Sequence, residues 1–200
     1  MSSAQNGTPS HEGVLFFTWS ETLASFVLAV AFFGLFHIYA LAFTFGASLD
    51  DAWNLAGLER ITDRQSALEF VFGGIAGPLG RPLSLLTFLP QWASWPSAPQ
   101  DFLFQNALIH LTNFLLVTWI AVKLARHLPW EISSPHWFAV AAGILWGFSP
   151  LLFSTTAMII QRMTSLSALF CLLGILGYLV GRERLDRNWR AALLIMSGSI

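Results

Sequence analysis

Apolar residues occupy this chain in long blocks, and charged residues are absent from 22–49, 102–122, 132–161 and 163–181. A helix needs roughly 20 mostly apolar residues to cross a hydrocarbon core. The pattern therefore predicts four membrane spans, at about 22–45, 105–125, 136–153 and 163–181. A fifth apolar run, starting at Arg190 and continuing as "AALLIMSGSI", stops at residue 200 after ten residues, too few to cross, so the chain reads as part of a longer protein. Between spans one and two, residues 46–104 carry Gly and Pro clusters ("FGGIAGPLGRP", "WASWPSAPQ") and scattered charges. That segment is expected to be a long loop containing short amphipathic helices. The fold class expected is all-α, a polytopic transmembrane helix bundle.

Composition supports this reading: 55% of the 200 residues are hydrophobic and 10% charged, with a mean hydropathy of +0.62. A water-soluble fold is excluded on those proportions. With a net charge of −1 there is no basic field for nucleic acid, and the lone Cys171 excludes disulfides and Cys-based metal sites. The N-terminal "MSSAQNGTPSHEG" has no Lys or Arg, and residues 1–20 are expected to be disordered and cytoplasmic; no A-x-A-like site follows, so the first span reads as a retained anchor. Lys123, Arg126, Arg182, Arg184, Arg187 and Arg190 fall on one side, and Arg60, Arg64, Arg81 and Arg162 on the other. This asymmetry favours a cytoplasmic N-terminus and places 46–104 on the outer face.

Polar residues inside the apolar blocks are the candidates for chemistry. Asn106, His110 and Asn113 are four and three apart, so they share one helical face that must look at protein or water. They either bond to neighbouring helices or line a cavity. Arg162 stands at the start of span four, as a snorkelling cation or as an anion ligand at a helix N-terminus. In "GPLGRPLSLL", Arg81 likewise precedes a helix start with Pro82 in the first turn, and can be a solvated turn residue or a ligand. Asp50 and Asp51 follow span one directly; they are N-cap candidates for a helix over "AWNLAGLERI", or a general base and its neighbour. His37, inside span one, reads as a packed histidine.

In order, "SLDDAWNLAGL", "GRPLSLLTF", "FLFQNALIHLTNFLL" and "SPLLFSTTAMIIQRMTSLSALF" give a chain that resembles membrane glycosyltransferases of the GT-C type over roughly 22–190. It is most similar to the group that joins such a core to C-terminal tetratricopeptide repeats, and more distantly to protein O-mannosyltransferases. The resemblance implies a GT-C-like partial core over 21–200, in an integral protein of the bacterial inner (plasma) membrane. It implies inverting transfer of a sugar from a polyprenyl-phosphate donor to a protein or glycan acceptor on the outer face. Asp50, with Asp51 beside it, takes the position of the catalytic acid. Arg81, His110, Gln161 and Arg162 match positions expected at the donor-phosphate or acceptor site, with Asn106 and Asn113 beside them. Where relatives often carry an acidic or His-Pro element, this chain has Ser149 and Ser154, which argues against metal at that end; a divalent cation elsewhere stays open, and no other cofactor is expected. A lipid transporter or flippase subunit and a non-catalytic membrane fragment are the competing readings.

Overall fold

A computed structural model describes residues 11–44, 46–73, 81–127 and 132–184, together with 195, 197 and 198. Among them every regular element is helical. Helix α1 spans His11–Ala42 and so begins about ten residues ahead of the expected first span; its apolar stretch, Trp19–Ala42, is long enough to cross a membrane. Short helices follow: α2 (Leu49–Leu55), a 3-10 turn (Ala56–Arg60), α3 (Arg64–Phe72), α4 (Pro82–Leu86) and a second 3-10 turn (Leu89–Ser94). Then come α5 (Pro99–His127), α6 (Pro135–Gly147), α7 (Pro150–Thr156) and α8 (Arg162–Arg184).

Helices α5 and α8 are each long and apolar enough to span, which with α1 makes three among the described residues, and α6 with α7, bent by 55°, is either a fourth, broken span or a re-entrant loop. The chain thus has the build of a multi-pass membrane protein. The sequence predicts an unbroken helix over 136–153; the break falls just before Pro150, which has no N–H to continue the ladder and would clash with the preceding turn. Most of the run at 190–200 and residues 1–10 of the expected disordered tail lie outside the described residues, whereas residues 11–20 of that tail are helical.

Side-chain pairing fixes the directions of the spans. Trp137 Nε1 donates to Ser20 Oγ, so α1 and α6 start at the same end. Lys123 pairs with Glu183, and Asn113 bonds Ser165, so α5 and α8 run parallel to each other. Gly143 and Gly147 of α6 sit against Thr118 and Phe114 of α5; a Cβ at Gly143 would come 2.2 Å from Thr118 Oγ1. The short helices cap the end formed by the finish of α1 and the starts of α5 and α8. Their own core, including Leu55, Leu58, Phe88 and Trp95, is continuous with Phe102 of α5 and Ile159, Ile160 and Met163 before and within α8.

Candidate functional site

The two aspartates occupy different environments. Ser48 and Asp51 form a capping box: Asp51 N donates to Ser48 Oγ at 3.2 Å, while Ser48 N and Oγ both reach Asp51 Oδ2 at 2.8 Å. The other carboxylate oxygen, Oδ1, accepts from Ile160 N at 2.7 Å, across 109 positions of sequence. Asp51 is 1% exposed, and both oxygens are committed. Asp50, one residue earlier in α2, points outward and is exposed. Its Oδ1 accepts from Asn54 Nδ2 at 3.0 Å, one helical turn on. Asp50 is therefore the carboxylate of the pair that a substrate can reach.

Arg162 is 0% exposed yet has no carboxylate partner among the described residues. Four of its five N–H groups are satisfied by neutral oxygens: Nε by Asn106 Oδ1 at 2.8 Å, Nη1 by Thr87 O at 2.8 Å, and Nη2 by Gln91 Oε1 at 2.9 Å and Phe102 O at 3.0 Å. The Phe88 ring lies 4.1 Å from the guanidinium carbon. A cation at the start of a helix is opposed by the dipole of that helix, so the oxygen cage supplies the compensation. The cage joins the start of α8 to α4, the second 3-10 turn and α5 in one step.

The polar face of α5 proves to be a set of struts. Asn106 Nδ2 is shared among the carbonyls of Thr156, Met158 and Ile159, at 3.3, 3.0 and 3.3 Å, and so holds the turn between α7 and α8. His110 Nε2 donates to Gly147 O at 3.0 Å where α6 ends, its ring stacked on Trp146 at 4.9 Å with Tyr39 edge-on at 5.3 Å. Asn113 Nδ2 donates to Ser165 O at 3.0 Å. His110 answers a backbone carbonyl freed where α6 ends and Asn106 one freed where α7 ends, which membrane burial would otherwise leave costly, while Asn113 adds a bond to a carbonyl in the first turn of α8. Of the two sequence readings, bonding between helices describes these three residues.

Two further candidates lie on the surface of this end. Arg81, the N-cap of α4, has a left-handed backbone (φ 48°), is exposed, and its Nη1 touches Met163 Sδ. Gln161 is half-buried and accepts from Thr164 Oγ1 at 2.7 Å. The stretch Ile160–Met163 is thus gripped by Asp51 at its beginning and by Arg81 at its end. Asn54 and Gln91 were not singled out from sequence. Asn54 follows Asp50 at helical spacing, a signal present in "DDAWN", whereas Gln91 lies 71 positions from its partner and carries no local signal.

Beside α2 opens a cavity of about 490 Å³ lined by Trp53, Asn54, Gly57, Arg60, Glu69 and Phe70, among others. A second, of about 410 Å³, is wholly apolar and lies among α5, α6 and α8, bordered by Ile120, Leu124, Phe138 and Leu172. Among the described residues no three His, Cys, Asp or Glu side chains converge as a metal site would require. The sequence matches no family model, and no curated protein or solved structure is similar to it.

Proposed function

We propose that the chain carries part of a membrane glycosyltransferase site, in which a sugar passes from a polyprenyl-phosphate donor to an acceptor hydroxyl on the outer face. The observation that carries this reading is the grouping at one bundle end of an exposed carboxylate, Asp50, and an exposed guanidinium, Arg81, both tied through their neighbours to Ile160–Met163. In the proposed reaction Asp50 takes the acceptor proton as the hydroxyl oxygen bonds to the anomeric carbon from the side opposite the phosphate. The anomeric C–O bond to phosphate breaks, and Arg81 balances the charge that develops on the departing lipid phosphate.

The roles of Asp51 and Arg162 in this scheme are positional. Asp51 sets the α2 entry against the turn before α8, and Arg162, with four donors already bonded, holds the same turn from inside. Direct contact of Arg162 with a phosphate would require the cage to open. The transporter reading has less support, because the stripe it would use as a pathway is spent on backbone carbonyls.

The test is transfer from a defined polyprenyl-phosphate sugar by the complete protein. Asp50→Asn lowers the rate by about 10²–10⁴-fold, the usual contribution of a general base, with unchanged thermal stability. Full activity in Asp50→Asn refutes the assignment.

A further inference from the structure

The cavity beside α2 has features the proposed chemistry does not use. Its volume, about 490 Å³, lies within the roughly 300–1,000 Å³ typical of small-ligand sites. One wall is Trp53, 74% exposed on a seven-residue helix, an indole face held out from a layer in which Trp95 is buried. The floor is Phe70, reached closely because residue 57 is glycine; a Cβ there would fall 2.8 Å from the Phe70 ring.

Around these faces stand Asn54, Arg60 and Glu69. Asn54 donates to Asp50 and leaves its own carbonyl oxygen free, and Glu69 Oε1 takes one bond, from Gln65 at 3.1 Å. Arg60 makes no ion pair with any described residue. One cation and one anion line the same hollow, so an anion meets Glu69 and a cation meets Arg60. The lining is matched instead to a neutral ligand that both donates and accepts hydrogen bonds and has an apolar face to lay on a ring. A pyranose has that make-up: vicinal hydroxyls for planar amide, guanidinium and carboxylate groups, and a C–H face for an indole.

We infer that the Trp53–Asn54–Arg60–Glu69 cavity is a saccharide-binding site, and that Asn54, which borders it and bonds Asp50, sets a bound sugar beside the proposed base. The acceptor is then a glycan hydroxyl. That last step rests on the transferase reading; the binding itself does not.

The experiment uses the chain in phosphatidylcholine nanodiscs, free of sugar detergents, titrated with chitobiose, cellobiose and mannobiose and read by saturation-transfer NMR. At least one disaccharide binds saturably. Trp53→Ala weakens it at least tenfold, Trp53→Phe recovers part of the loss, and Trp92→Ala, an exposed tryptophan outside the lining, leaves it unchanged. Asp50→Asn retains binding while transfer is lost. Absence of saturable binding by all three sugars overturns the inference, as does binding indifferent to Trp53→Ala. Quenching of Trp53 by brominated lipid without sugar binding also overturns it and makes Trp53 a bilayer anchor. Trp53-dependent sugar binding in a complete protein that transfers nothing sinks the transferase reading alone; transfer to a peptide with no sugar bound sinks the cavity alone.

Discussion

From its start to Asn113, helix α5 turns amide and imidazole groups inward, and these bond to backbone carbonyls at the end of α6, before α8 and in its first turn. From Phe114 to Ala121 the same helix meets its neighbours through small residues and hydrocarbon, with Gly143 against Thr118 and Leu116, Ile120 and Leu176 in one cluster, before Lys123 pairs with Glu183 near its end. The difference follows from what the chain does at each end. Near the short helices, α6 breaks, α7 ends and α8 begins, so carbonyls and amides lose their helical partners within a low-dielectric region and side chains must replace them. In the other half the described helices run without a break past one another, and close packing of small and apolar residues joins them. Polar side chains in this bundle thus mark where the backbone is irregular, and the irregular end is the one that carries the exposed Asp50 and Arg81.

The contrast predicts the largest effect at Arg162. Only 11% of the α8 spanning window is buried, against 56% for α5, so α8 depends heavily on its first turn. Arg162→Met removes the donors that reach oxygens of Asn106, Gln91, Thr87 and Phe102, and a buried acceptor left unpaired, such as Asn106 Oδ1, costs about 1–3 kcal/mol. The expected outcome is loss of folded protein, read as yield of a monodisperse peak in detergent. Arg162→Lys does not restore it, because an ammonium cannot bridge acceptors arranged around a planar fork. Substantial rescue by Lys would mean that net charge at this point, and not the fork geometry, holds the cap.

In the other half the limiting quantity is space. Gly143→Ala drives a methyl group into Thr118 Oγ1 and is expected to cost about 1–3 kcal/mol by overpacking. Thr118→Ala, made together with it, removes the clashing atom and recovers most of the loss. Thermal melts of the two single variants and the double variant measure the coupling, and strict additivity would refute the close-approach account.

How much of this was legible in the residues follows the same division. Apolar runs located the candidate spans among the described residues, because a membrane span is a local property of about 20 consecutive positions. The periodicity of Asn106, His110 and Asn113 showed that this face of α5 looks inward. It could not say what they meet, since their partners are backbone carbonyls 37 to 53 residues away. Asp50 and Asp51 were indistinguishable in sequence for the same reason: Ile160 N, which occupies Asp51 Oδ1, lies 109 positions on. The kink before Pro150 was readable from the proline itself, and an apolar count passed over it. Arg162 was recognisable as unusual, but its burial depends on Thr87, Gln91 and Phe102 converging from separate elements.

The smallest expected effect lies at the rim of the cap, where α3 begins. Asp63 accepts from Ser66 N and Ser66 Oγ, both at 2.8 Å, while Ser66 Oγ answers the N–H groups of Thr62 and Asp63. The bonds from Ser66 hold the Asp63 carboxyl below its ordinary value. A depressed folded-state pKa means that the stabilising contribution is present above the unfolded value and is lost as pH falls through the folded one. Acidification below the usual carboxylate range is therefore expected to fray the first turn of α3, leaving the buried struts of α5 untouched because they do not depend on a carboxylate. Asp63→Asn keeps a good N-cap but removes the titration. Hydrogen exchange at Ser66 N–H is expected to speed up at low pH in the wild-type chain and to stay flat in Asp63→Asn. Parallel pH profiles in the two would show that the carboxylate does not hold this turn, and a matching change at Asn113 would show that the cap and the bundle loosen together.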